Sequence, residues 1–193
     1  MALPERRPCY TYADYLTWPE DERWELIDGV PYAMAPAPTR RHQEAVGEIF
    51  RQFANQLEDR PCQVYVAPFD VRLGAPDAAD AEITTVVQPD VSVYCDPSKL
   101  DERGAKGAPG LVVEVLSPHT AAKDLIVKRE LYARLGVGEY WVVEPLDRVL
   151  MIWRHGGEGF RGPEILALEG QASSQVAGLR LDLDHLANVL EVV

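Results

Sequence analysis

The run Leu111-Val112-Val113-Glu114-Val115-Leu116 constrains this chain more than any other stretch. Five of its six positions are apolar, which reads as a strand buried on both faces in the middle of a sheet. Ser117-Pro118 ends it, a helical stretch runs from about Thr120 to Leu135, and Gly136 stands where helices commonly take a glycine just past their end. Glu139-Tyr140-Trp141-Val142-Val143-Glu144 is the next strand. Strand, helix, strand in this order is a βαβ unit, with parallel strands and a right-handed crossover.

The flanking segments extend this unit. Thr11 followed by Asp14 has the form of a helix start, with Thr11 as the cap. Asp28-Gly29, set between Trp24–Ile27 and Val30–Tyr32, is a strong hairpin signal. A helix is predicted over Thr39–Leu57, its buried stripe made by Val46, Ile49, Phe50, Phe53 and Leu57 and its outer face by Arg41, Glu44, Glu48, Arg51 and Gln52. Val64–Leu73 reads as a strand with a bulge or edge at Pro68, and Val86–Tyr94 as another strand. Polar loops cover Ala75–Glu82 and Asp96–Pro109. Pro145–Arg148 turns the chain into a strand at Val149–Trp153, and the tail reads as a small β meander with a helix near His185–Leu190. The expected class is therefore α/β or mixed α+β, a central mixed sheet flanked by helices, and a length of 193 residues fits one domain over 1–193.

Glu114 is the residue that demands chemistry. A carboxylate inside an apolar strand costs several kcal/mol, on the order of a lost ion pair, unless a metal, a cation or hydrogen-bond donors meet it. Asp90, at the mouth of another apolar strand behind Pro89, poses the same demand. Two carboxylates on adjacent strands can share a divalent cation, and hard oxygen ligands suit Mg²⁺, Mn²⁺ or Ca²⁺ better than zinc. Such an ion activates water and offsets charge on a phosphodiester. Lys128, one turn after Asp124 and three before Leu131, can reach from the helix toward the end of the Glu114 strand, where an ammonium would orient the attacking water.

The strings WELIDG, PDVSVY and GAPGLVVEVLSPHTAAKDLIVKRELYARLGVGEYWVVEP, with the C-terminal GLRLDL, resemble the Uma-two family of restriction-endonuclease-like proteins, placed in the PD-(D/E)XK nuclease superfamily. The resemblance covers nearly the whole chain, in the right order. It implies a restriction-endonuclease-like mixed sheet flanked by helices and a metal-dependent endonuclease acting on DNA with Mg²⁺ or Mn²⁺. It carries the PD motif onto Pro89-Asp90 and the acidic residue onto Glu114, with the backbone carbonyl of Val115 as a further ligand. The superfamily's lysine two residues after the acid is Leu116 here, and the resemblance implies that the lysine is supplied from the following helix instead. Lys128 is favoured because it lies in the helix body behind Asp124, with Lys123 the competitor. Glu25 of WELIDG is a further acid near the site, with a hairpin surface charge or a strand-edge pair as its plainer alternative.

Other features carry weaker expectations. The formal charge of −12, from 31 acidic and 19 basic residues, works against bulk electrostatic attraction to nucleic acid. It keeps two alternatives in view: a fold-retaining protein that binds without cutting, and a hydrolase of a small phosphorylated substrate. His42, behind Arg40-Arg41, reads as an exposed or capping histidine rather than a phosphate contact, and His119 has no metal-spaced partner. Ser117 reads as a helix-start residue, with Thr120 an equally good cap. Tyr132, Tyr140 and Trp141 read as core. The odd and scattered Cys9, Cys62 and Cys95 predict three reduced thiols. No apolar run approaches ~20 residues and MALPERRPCYTY lacks an apolar secretory core, so a cytoplasmic protein without a membrane span is expected, with a homodimer as the simplest assembly.

Overall fold

The computed structural model describes residues 9–19, 21–34 and 37–191, so the start of MALPERRPCYTY lies outside them. Helix α1 (Tyr12–Tyr15) leads to strands β1 (Trp24–Ile27) and β2 (Val30–Ala33), then helix α2 (Arg40–Leu57). Strands β3 (Gln63–Val66), β4 (Val71–Arg72), β5 (Val86–Val87), β6 (Val91–Tyr94), β7 (Leu100–Asp101), β8 (Gly104–Lys106) and β9 (Leu111–Val115) follow. A π-helical turn (Lys123–Lys128) runs into helix α3 (Arg129–Arg134). The chain closes with β10 (Glu139–Glu144), β11 (Val149–His155), β12 (Phe160–Ala167), β13 (Gln171–Ser173), β14 (Arg180–Asp182) and helix α4 (Leu183–Glu191).

The local chemistry explains most boundaries. Thr11 caps α1 in a reciprocal box with Asp14. Asp28 and Gly29 both take positive φ, 50° and 75°, the backbone a tight two-residue hairpin requires. Thr39 caps α2 by accepting the His42 N–H, and Gly136 ends α3 at φ 79°.

The strands form two six-stranded sheets, ordered β2-β1-β5-β4-β8-β7 and β12-β11-β10-β9-β6-β3, plus the β13-β14 pair. In the second sheet β9 and β10 are parallel and every other pairing is antiparallel, so it is mixed around the expected βαβ unit. All five residues of β9 are buried. Leu111, Val113 and Val115 pack with Ile49, Phe53 and Trp141 on the α2 side. Val112 and Leu116 pack with Leu131, Tyr132 and Tyr140 on the α3 side. This two-sided cover is why the strand reads as apolar at every position but one.

Four expectations are corrected. The segments 64–73 and 86–94 are each two strands, not one, and both breaks fall at a proline: Pro68 separates β3 from β4, Pro89 separates β5 from β6. Lacking an N–H for the ladder, each proline marks the point where the chain passes from one sheet to the other. Glu48, expected on the outer face of α2, is buried, because α4 and β14 cover that side; it accepts from Arg51 and Gln52. The helix expected over 120–135 is π-wound in its first part. Cys62 and Cys95 are joined in a disulfide, leaving Cys9 as the free thiol among the described residues. The pairing of Gln63 with Tyr94 sets the two cysteines opposite each other just past the ladder, a register that spacing alone does not reveal. Replacing both with serine is expected to cost about 2–4 kcal/mol, read as a lower urea midpoint, and dithiothreitol should reproduce the loss in the unaltered protein.

Among the described residues no helix is long and apolar enough to cross a membrane.

Candidate active site

Glu114 shares its face of β9 with Val112 and Leu116, so its carboxylate points toward α3 and the first sheet. It meets donors from three elements. Lys128 Nζ lies 2.8 Å from Oε1, the Tyr132 hydroxyl donates to the same oxygen at 3.0 Å, and the Asp90 N–H approaches Oε2 at 3.4 Å. Asp90, on the first turn into β6, accepts the Val115 N–H at 2.8 Å through Oδ2, and His42 Nε2 sits 3.2 Å from that oxygen. Neighbouring antiparallel strands β6 and β9 therefore bring the two carboxylates together, as the two apolar runs imply.

Glu25 belongs to the same cluster. It is fully buried, accepts the Gln88 N–H at 3.0 Å, and bridges Lys128 at 2.8 Å and Lys123 at 2.6 Å. The plainer alternative of a surface charge is excluded by that burial. Lys128, likewise buried, joins Glu25 to Glu114, with Asp124 Oδ1 at 3.7 Å beyond hydrogen-bond reach. Two of its three N–H donors are thus engaged.

The two lysines posed as competitors both reach the cluster, for a geometric reason. Residues five apart in an α-helix fall on different faces, at about 100° per residue. The i→i+5 bonding of a π turn stacks them instead. Lys123–Lys128 is π-wound, so Lys128 reaches Glu114 and Glu25 while Lys123 reaches Glu25 alone. π turns of this kind are common where function is concentrated.

Charge is in surplus here. Glu25, Asp90, Glu114 and Asp124 converge on Lys123, Lys128 and His42. Burial pushes the Glu114 carboxyl up to about 8, outweighing Lys128, and the Asp124, Asp90 and Glu25 charges push the same way. Burial also raises Asp124. Glu25 goes the other way: against burial, Lys128 and then Lys123 hold it down at about 2. Burial works to lower Lys128, but Glu114 and Glu25 hold it well above the ordinary lysine range. His42 is raised too, because its contacts with Asp90 and the Val115 backbone outweigh burial.

A cavity of about 380 Å³ opens onto this cluster. Asp90, Glu114, Asp124, Lys123 and Lys128 line its floor, and His42 and His119 stand on its wall. Among the described residues no group of three or more His, Cys, Asp or Glu side chains is placed to hold a metal ion by itself. An open set fits the cluster better. Asp90 Oδ1 takes no hydrogen bond among the described residues and Glu114 Oε2 has only the long Asp90 contact, so each carboxylate keeps an oxygen that could ligate a divalent cation.

Two participants escaped the sequence reading. His42, expected to be exposed or capping, is mostly buried against Asp90. Tyr132, expected only as core, also donates to Glu114. Ser117 and Thr120 bond to each other just ahead of the helix, where both were expected as helix-start residues.

The sequence model of the Uma2 family, described as "Putative restriction endonuclease", matches residues 12–185. The chain is 28% identical over 186 residues to the uncharacterized protein slr1290 of Synechocystis sp. (strain ATCC 27184 / PCC 6803 / Kazusa), covering 95% of this chain and 92% of that one. The crystal structure of a protein titled a putative nuclease belonging to DUF820, from Anabaena variabilis, aligns with a TM-score of 0.74 over 94% of this chain and 99% of that chain. At 18% identity that likeness speaks for a shared fold.

Proposed function

This chain belongs to the Uma2 family, and from that premise of a nuclease-like protein we propose a metal-dependent endonuclease that hydrolyses DNA phosphodiester bonds. The observation that carries the reading is the meeting of Asp90, Glu114 and Lys128 on the floor of one cavity. Asp90, Glu114 and the Val115 carbonyl would hold Mg²⁺ or Mn²⁺. Bound there, the ion would lower the pKa of a water and offset charge on the phosphate.

The chain's own residues set the rest. Lys128 stays protonated, so it is not the base; its unengaged N–H is free to orient the water or a phosphate oxygen. Glu25 and Lys123 keep Lys128 in place through the Glu25 bridge. Tyr132 fixes the Glu114 rotamer. In the reaction water adds to phosphorus, the P–O bond to the departing sugar oxygen breaks, and that oxygen takes up a proton.

Glu114→Ala and Asp90→Ala are each expected to abolish Mn²⁺ binding in calorimetry and to slow Mn²⁺-dependent cutting of DNA by about 100-fold or more. Cutting by Glu114→Ala at the wild-type rate would overturn the assignment.

A further inference from the structure

The cavity has two halves of different chemistry. Its floor is ionic, built from Asp90, Glu114 and Lys128. Its lining also carries an apolar set, Val46, Gly47 and Phe50 of α2, Val66 and Ala67 at the end of β3, and Met34, together with the polar Arg23 and Gln43. Helix α2 connects the halves. His42 lies against Asp90, Val46 is one turn on, and Phe50 another turn beyond, at about 6 Å per four residues.

Gly47 is out of place for a helix. It sits in the interior of the 18-residue α2, where glycine is poorer than alanine because of the entropy its backbone loses on folding. No close packing demands it, since a Cβ added there meets nothing within 4 Å. The position is open and exposed, and Gly47 is one of the residues that line the cavity.

We propose that this apolar half receives the base of an unpaired nucleotide whose phosphate lies over the Asp90–Glu114 floor, so that the substrate is single-stranded or frayed DNA and not intact duplex. The proposal rests on the nuclease reading and adds the substrate class to it. The volume, about 380 Å³, is at the small end for ligand pockets and suits one nucleotide. A base in a duplex is stacked and paired and cannot enter a side cavity unless it is extruded. Phe50, half-buried on the wall, offers an aromatic surface of the kind that single-strand binders use to hold bases without regard to sequence. The net charge of −12 favours the same choice, because a single strand presents a less dense line of phosphates than a duplex.

The test uses the full chain with Ca²⁺ for binding and Mn²⁺ for cutting. Anisotropy is measured with a fluorescein-labelled oligothymidylate and with a hairpin duplex of equal length. Cutting of both is followed on gels. Wild type should bind and cut the single strand at least about tenfold better than the duplex. Gly47→Leu, which fills the apolar half, should weaken single-strand binding about tenfold or more while leaving Mn²⁺ affinity in calorimetry unchanged. Gly47→Ala should raise Tm by about 2–4 °C, which separates helix stabilisation from occlusion. Equal or better cutting of the duplex, or a Gly47→Leu protein that binds the single strand as wild type does, would overturn the proposal and leave the nuclease reading standing. Failure to bind or cut either probe, with Mn²⁺ bound, would overturn both.

Discussion

Replacing Lys128 with methionine should destabilise the protein by about 3–5 kcal/mol and abolish cutting, although methionine keeps most of the lysine's volume. The side chain is buried and holds Glu25 and Glu114 together at 2.8 Å each. Without it Lys123 balances one oxygen of Glu25, and Glu114 retains only Tyr132 and the long Asp90 contact. Two buried carboxylates then face each other with one ammonium between four acids. The deficit should shrink on acidification, because protonation relieves buried carboxylates that have lost their counter-ion. Urea unfolding at about pH 5 and about pH 8 measures this directly. A Lys128→Met protein within about 1 kcal/mol of wild type at the higher pH would mean that some other group balances the cluster. Combining Lys128→Met with Glu114→Gln should recover part of the loss, since the second change removes the stranded charge.

How much of this was legible in the sequence depends on the kind of constraint. Glu114 and Asp90 stood out because a carboxylate in an apolar run needs a partner, and β6 and β9 do set them side by side. The βαβ unit was legible for the same reason that β9 is apolar at every position but Glu114: it is covered on both faces. The choice between Lys123 and Lys128 was not decidable, because it assumed α-helical winding, and residues five apart change sides when the turn becomes π. His42 left a signal that position near a helix start concealed. Stepping back by four from Val46 along the buried stripe lands on it, so it continues the face that packs inward. Tyr132 follows Lys128 by the same interval. The disulfide and the sheet switches at Pro68 and Pro89 depend on strand register and sheet partner, which no local pattern encodes. Nor does local pattern reveal an exposed glycine facing a cavity, since Gly47 reads from sequence only as a weak helix residue.

The metal-free protein should lose stability as pH rises from about 5 to about 9. The sign follows from Glu114. Its carboxyl is raised from the usual glutamate value of 4.5 to about 8 in the folded state, chiefly by burial. A carboxyl that is harder to ionise folded than unfolded contributes its stability fully below the unfolded value and loses it as pH climbs through the folded one. Asp124 and His42, both raised, act in the same sense, whereas Glu25, held near 2, has finished titrating well below this window. The loss from Glu114 should be on the order of a few kcal/mol. Urea titrations in EDTA across this range should show it, and Glu114→Gln should flatten most of it by removing the group that titrates. Mn²⁺ should flatten it in the unaltered protein, because a bound cation favours the ionised carboxylate and so converts an unfavourable ionisation into a favourable one. A flat profile in EDTA would show that Glu114 is ionised throughout and that the cluster holds its charge without a cation. A profile that slopes in EDTA and stays sloped with Mn²⁺ would place the cation away from Glu114.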